Sequence, residues 1–295
     1  MQHLLDALPR DEFEVEILSF GMGDGHTLES SYKYQGTRVT RGFDSPITPD
    51  LIILHHGYAA RTLPSFSEQY PNAAVVVVHH NERYDTEDLL SIRAELNVYN
   101  TNWVKKALGT NGIVVHPPLE YDRHHVAETG EAVTLVNLQL NKGFKTWNEL
   151  GLRMSPEFPF LGVIGTHGEQ LAPHETHVQV HPVTQDMREV WAQTKVLLMP
   201  SEYESYGMCA AEALISGIPV IAHPTPGLVE CLGSAGIFID RDDVDGYERA
   251  LRALLTDPDL YEAESLDARE RGAVLVAQTE KELRKFVNAV RKVVR

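Results

Sequence analysis

Apolar residues fall into short runs rich in Val, Ile and Leu, separated by amphipathic stretches. In the first half the runs predict strands at Val15–Phe20, Leu51–Leu54, Val75–Val78 and Ile113–Val115. In the second half they predict strands at Val133–Val136, Phe160–Ile164, Val178–Val180, Val196–Met199, Val220–Ala222 and Ile237–Ile239. Most runs are continuous rather than alternating. That pattern belongs to strands covered on both faces, as in parallel sheets flanked by helices. The stretches between them fit βα repeats. Gln2–Leu8 reads as a helix. Asn102 is placed to cap a helix over Trp103–Leu108, with Gly109 stopping it. Asp245 with Glu248 reads as a capping box opening Gly246–Leu255. Lys281–Arg295 sets Leu283, Phe286, Val287, Val290 and Val294 on one helical face, with Arg284, Lys285, Arg291 and Lys292 mostly opposite.

Length and composition narrow the class. The 295 residues suggest two domains. The stretch His116–Glu131, with Pro117-Pro118 and no periodicity, is the expected linker. The expectation is a domain over 1–120 and a second over 130–279, with the helix at 280–295 packing back on the first. Hydrophobic residues make up 43%, too many for a disordered chain. No run approaches the ~20 apolar residues of a membrane span, and no secretory leader is visible, so a cytoplasmic protein is expected. Two cysteines exclude a disulfide framework or a four-cysteine zinc site. The 26 basic and 42 acidic side chains give 26 − 42 = −16, which disfavours nucleic acid as a partner. The basic amphipathic helix at the end leaves membrane contact possible but not indicated, and packing is the favoured reading.

The chemistry concentrates in residues 200–222. The strand at Val196–Met199 ends at Pro200 and a polar loop follows. An Ala-rich helix begins near Gly207 and stops at Gly217, with Pro219 beyond it. A helix N-terminus at the carboxyl end of a parallel strand presents free N–H groups to a phosphate. Gly207 lets the backbone approach closely. Glu204 in the loop and Glu212 in the helix suit sugar hydroxyls, which donate to carboxylates.

Glu204 and Glu212 have the spacing of an E-x7-E signature. With Tyr206-Gly207, Glu212-Ala213 and Gly217-Ile218-Pro219-Val220-Ile221, the segment resembles the large retaining glycosyltransferase family four of the GT-B fold. Pro224–Glu230 resembles the glycine loop that follows, with Pro226 in place of its first glycine. Asp257-Pro258 resembles the D-P pair after the next helix. Upstream, Lys142-Gly143 matches a K-G turn after the first donor-domain strand. The family usually has an Arg shortly before that Lys. Here Asn137 stands there, leaving Lys142 as the main cation. The resemblance covers about 130–270 closely and 50–120 loosely. The chain's compactness resembles small phage-type members. The family's first strand and glycine-rich loop have no visible counterpart, since Gln2–Leu8 and Glu14–Phe20 resemble the helix and strand that come next.

The resemblance implies an α/β GT-B fold, two Rossmann-like domains with parallel sheets facing across a cleft. It implies a retaining transferase moving a sugar from a nucleotide-diphosphate sugar, UDP-linked by preference, to an unidentified acceptor. A glycan, a lipid, a metabolite, a protein or a modified DNA base all remain open. Glu204 would contact the donor sugar and Lys142 the leaving diphosphate. Glu212 would hold the ribose, and the N–H groups around Gly207, Met208 and Cys209 the phosphates. Tyr206, Asn137, Gly143 and Val183 complete the donor set. His79 or His80, after the strand at Val75–Val78, would lie near the donor sugar. No cofactor is required beyond the nucleotide-sugar substrate, and no metal. A silent nucleotide-sugar-binding module and a nucleotide-sugar epimerase or hydrolase of the same fold are the alternatives. His174, His177 and His181 invite a metal reading, weaker than that of a loop entering a strand. Asp243-Val244-Asp245 mimics a metal-binding D-x-D, and Gly21–Gly25 a dinucleotide turn, both without the context those motifs need. His124-His125 reads as linker surface.

Overall fold

The computed structural model describes all residues except Met1, 20–30, 35, 42–46, 56, 83–92, 156, 174–177 and Arg295. The glycines at 21–25, His174 and His177 therefore lie outside the described residues. The chain divides into two compact units. Unit 1 comprises residues 1–99, 110–113 and 282–295; unit 2 comprises 100–109 and 114–281.

In unit 1, helix α1 (Gln2–Asp6) precedes strands β1 (Glu16–Ser19), β2 (Ser31–Tyr34) and β3 (Thr37–Arg41). They form a sheet in the order β1-β3-β2, parallel between β1 and β3 and antiparallel between β2 and β3. The β2–β3 hairpin departs from the expected all-parallel pattern. Its two strands are mostly polar and carry no apolar run to reveal them. Strands β4 (Leu51–His55), β5 (Ala74–His79), β6 (Leu96–Tyr99) and β7 (Ile113–Val114) form a second sheet in that order. Helix α2 (Gly57–Gln69) connects β4 to β5, and Leu54, Leu63, Val75 and Val77 share a core. β6 also escaped the sequence reading, because Asn97 interrupts its short run.

Unit 2 carries helix α3 (Asn102–Leu108), the short helix α4 (Tyr121–His124) and six strands. The strands are β8 (Ala132–Val136), β9 (Phe160–Val163), β10 (Val178–His181), β11 (Thr194–Met199), β12 (Val220–Ala222) and β13 (Gly236–Phe238). All are parallel, in the order β10-β9-β8-β11-β12-β13. Numbered along the unit this is 3-2-1-4-5-6, the doubly wound order, whose direction of winding reverses between β8 and β11.

The continuous apolar runs are explained by this sheet. Val196 and Leu198 of β11 point to one face, onto Trp147, Leu150, Tyr247 and Leu251. Leu197 and Met199 point to the other, onto Ala210, Leu214, Leu228 and Leu232. Helices α5 (Phe144–Met154) and α9 (Val244–Thr256) cover the first face. Helices α7 (Met208–Ile215) and α8 (Pro226–Leu232) cover the second, while α6 (Arg188–Trp191) sends Trp191 into the same core. Helix α10 runs 36 residues from Pro258 to Val293, far longer than the predicted Lys281–Arg295. Its last dozen residues group with unit 1, where Phe286, Val287 and Val290 are buried and Arg291 Nε binds Glu12 at 2.8 Å. No helix among the described residues is long and apolar enough to cross a membrane.

Two predicted caps move by one or two residues. Thr101, not Asn102, caps α3: its hydroxyl accepts from the Val104 N–H. Asp243, not Asp245, caps α9 by accepting from the Gly246 N–H at 2.8 Å. Asp245 and Glu248 instead hold Arg153 of α5. The Asp243–Asp245 pair is thus accounted for by a cap and an ion pair. We expect Asp243→Ala to lower stability by about 1 kcal/mol, the usual loss for an N-cap. Asp245→Ala should stay within about 0.5 kcal/mol, because its ion pair is solvated. Urea unfolding of the two variants measures the difference.

Candidate functional site

The carboxyl ends of β8 and β11 lie side by side where the winding reverses, the place where doubly wound sheets bind ligands. The turns that leave them are fastened together. After β8 the chain passes Asn137 and a 3-10 turn, Leu140–Lys142, to Gly143. After β11 it passes Pro200 and the loop 201–207 into α7. The Glu202 N–H donates to the Asn141 carbonyl at 2.8 Å. Gly143, at φ 92, lies so close to Pro200 that an added Cβ would meet its ring at 2.2 Å. Only glycine fits both the left-handed backbone and the contact.

Across this junction Lys142 Nζ donates to Glu204 Oε1 at 2.6 Å, with the side chains 26% and 15% exposed. Ser201 Oγ donates to the same carboxylate oxygen at 3.0 Å. Two residues 62 positions apart in sequence thus form a half-buried ion pair at the mouth of the sheet.

Gly207 begins α7 at φ 98. A Cβ there would meet Leu228 at 2.5 Å, and one on Gly227 would meet the Glu204 carbonyl at 2.2 Å. The start of α8 therefore presses the loop into shape. The first-turn N–H groups of Met208 and Cys209 have no acceptor within the helix, as at any helix start. Burial, reinforced by the charges of Glu212 and Glu204, pushes the Cys209 thiol far above its usual range. Tyr206 is 3% exposed and its ring packs in the core near His116. It serves packing, leaving its main chain to shape the turn.

Glu212 is the anomalous carboxyl. It is 9% exposed, and its Oε2 has no hydrogen-bond partner. Burial raises its pKa to about 7, against the opposing pull of the Trp191 indole and the Arg123 charge. The Trp191 Nε1 is itself buried without a formed hydrogen bond. His124 Nδ1 lies 3.8 Å from Glu212 Oε1, and its side chain is 13% exposed. His124 is therefore not linker surface. Its segment is fastened to α7, where Ser216 Oγ accepts from the Val126 N–H at 3.0 Å and donates to the His124 carbonyl at 3.3 Å. The sequence held no sign of this, since the contact joins α4 to a helix far along the chain.

Asn137 takes φ 74, a left-handed conformation that Asn tolerates better than Arg. Its side chain accepts from Gln170 Nε2 at 2.9 Å, and Gln170 Oε1 in turn accepts the N–H groups of Leu138 and Gly165. Asn137 thus holds the turn rather than standing free. Val183 is 43% exposed after β10. Glu230, from the glycine-loop motif, has a structural task. Burial alone would raise its pKa, but hydrogen bonds from His116, the Asn102 and Trp103 N–H groups and the Asn102 amide hold it at about 2.

His79 and His80 belong to unit 1. His79 is 1% exposed, stacks on Tyr99 with ring centroids 4.8 Å apart, and bonds Asn97 at 2.9 Å. Burial lowers its pKa against that hydrogen bond. His80 is partly exposed and meets the ring edge of His55. His181 bonds the Pro182 carbonyl through Nδ1 at 2.7 Å. Among the described residues no three His, Cys, Asp or Glu side chains cluster as metal ligands.

Solved structures share this architecture. Sucrose-phosphate synthase from Thermosynechococcus elongatus superposes with a TM-score of 0.78 at 15% identity, covering 99% of this chain and 92% of that one. Anabaena HepE, solved with UDP-glucose, gives a TM-score of 0.70 at 15% identity, over 82% of this chain and 79% of that one. The fold is the α/β GT-B architecture of these proteins, built on parallel sheets. Residues 160–257 match the family model described as glycosyl transferases group 1. D-inositol 3-phosphate glycosyltransferase of Streptomyces bingchenggensis is 40% identical over 82 residues, 27% of this chain and 18% of that protein. The matched stretch spans about a fifth of the length of such curated relatives.

The buried Glu212 makes a pH signature. Folding raises its pKa from 4.5 to about 7, so between these values the folded protein keeps a proton the unfolded chain has lost. The contribution is fully present below pH 4.5 and is lost as pH rises through 7, with a swing of about 3 kcal/mol. Glu212→Gln should flatten the fall in stability over that window and leave the protein more stable than wild type at pH 8. Equilibrium unfolding from pH 4.5 to 8 measures this.

Proposed function

We propose that the protein is a retaining glycosyltransferase that moves a sugar from a nucleotide-diphosphate sugar to an acceptor hydroxyl. The Lys142–Glu204 pair carries the reading, because it sets a cation and a carboxylate together at the reversal point, beside the start of α7. Lys142 and the first N–H groups of α7 take the diphosphate, where negative charge grows as the sugar–phosphate bond breaks. Glu204, freed from Lys142 by the entering anion, accepts hydrogen bonds from the sugar. Glu212 receives the ribose hydroxyls, which satisfy its unpartnered oxygen. A UDP-sugar is favoured by the complex of HepE with UDP-glucose. Of the two histidines at the end of β5, His79 is enclosed by Tyr99 and Asn97, while His80 is partly exposed.

The leaving diphosphate departs with the bonding electron pair. The acceptor oxygen attacks the anomeric carbon from the same face and gives its proton to a diphosphate oxygen. Configuration is retained without a protein nucleophile, so paired carboxylates of glycosidase spacing are not needed.

A thermal-shift panel of UDP-, GDP-, ADP- and TDP-sugars without metal, followed by mass spectrometry of released sugar, tests the reading. One nucleotide class should stabilise the protein and be slowly hydrolysed. Lys142→Ala and Glu204→Gln should each reduce turnover by about 10²-fold or more while the protein stays folded. Binding without any turnover in wild type would favour a silent nucleotide-sugar-binding module instead.

A further inference from the structure

We propose that Arg241 is a second cation of the donor site and binds the diphosphate beside Lys142. The assignment rests on the donor reading above. A nucleoside diphosphate brings more negative charge than one lysine offsets, and the charge of Lys142 is already met by Glu204. The turn after β8 adds no further cation: Asn137 is a neutral amide, and its oxygen is taken by Gln170.

Arg241 lies just past β13, the far strand of the sheet, yet its side chain returns to the β8–β11 junction. Its backbone is fixed at both ends of the residue: the N–H donates to His223 Nδ1 at 3.1 Å, and the carbonyl accepts from Thr146 Oγ1 at 2.9 Å. From there the guanidinium reaches across the start of α5. Nη2 donates to the Leu140 carbonyl at 3.2 Å, and Nη1 lies 3.3 Å from Glu202 Oε2. Leu140 is two residues before Lys142, and Glu202 two before Glu204. Each of these turns therefore takes part in two contacts, Lys142 with Glu204 between the turns and Arg241 with Leu140 and Glu202 from outside them. The Glu202-to-Asn141 hydrogen bond fixes the turns between them.

The second pair is built to open. Glu202 is 61% exposed, so its hold on Arg241 is that of a weak, solvated surface pair. Arg241 is 23% exposed, and its planar fork has donors to spare for phosphate oxygens. An entering diphosphate exchanges a weak carboxylate partner for a stronger one, while the Leu140 contact keeps the guanidinium aimed.

Isothermal titration of the full chain with UDP, UDP-glucose and UMP tests this, or with the matching set for whichever base the donor panel selects. Arg241→Ala should weaken both diphosphates about tenfold or more and UMP no more than about threefold, with an unchanged unfolding temperature. Arg241→Lys should recover part of the loss. Diphosphate affinity unchanged in Arg241→Ala would overturn the assignment and leave the donor reading standing. Equal losses for UDP and UMP would also overturn it, showing that Arg241 only braces the turns. Failure of wild type to bind any nucleoside diphosphate would remove the donor reading itself, and the Arg241 assignment with it.

Discussion

The junction between β8 and β11 is the constraint on which the site depends. Two parallel strands, adjacent in the sheet and about sixty residues apart in the chain, end together, and the winding sends their following helices to opposite faces. The turns between must part without leaving backbone groups unsatisfied. The Glu202–Asn141 hydrogen bond and the fit of Gly143 against Pro200 solve that problem. Lys142 and Glu204 meet as a result. Their pairing follows from the packing of two turns, and it leaves charge at the carboxyl ends of the two strands.

The site holds tension of a specific kind. Lys142 and Arg241 each rest on a carboxylate, while Glu212 is buried with an oxygen that nothing satisfies. An orphaned buried carboxyl costs free energy in the unliganded protein. A ligand that supplies hydroxyl donors to Glu212 and anionic oxygens to the cations would relieve these conditions together. The helix that carries Glu212 is buried through most of its length, in a core shared with Leu197, Leu228 and Trp191.

Unit 2 was largely legible in the sequence, because its inner strands β8, β9, β11 and β12 are buried on both faces and announce themselves as apolar runs, while the half-buried edge strands β10 and β13 keep enough apolar residues to be read. The glycines at 143, 207 and 217 marked the turns for a local reason: each takes a left-handed backbone. Unit 1 was read less well. The β2–β3 hairpin is polar and partly exposed, and β6 is a four-residue strand broken by Asn97, so neither produces a recognisable run. The caps at Thr101 and Asp243 were missed because neighbouring Asn102 and Asp245 are equally good capping residues by type. Asn102 bonds Glu230 instead, and Asp245 bonds Arg153.

The sequence by itself determined the alternation of buried strands and helices, the glycine turns, and the spacing that sets Glu204 and Glu212 on a loop and its helix. These are local properties, carried by hydrophobic period, backbone conformation and residue type. Only the tertiary structure decided which charges meet. It paired Lys142 with Glu204, brought Arg241 back from the far strand to Leu140 and Glu202, set His124 against Glu212, and turned the Glu230 carboxylate onto the start of α3. A side chain's charge is written in the sequence, but its partner and its burial depend on strand order, which joins segments the chain keeps far apart.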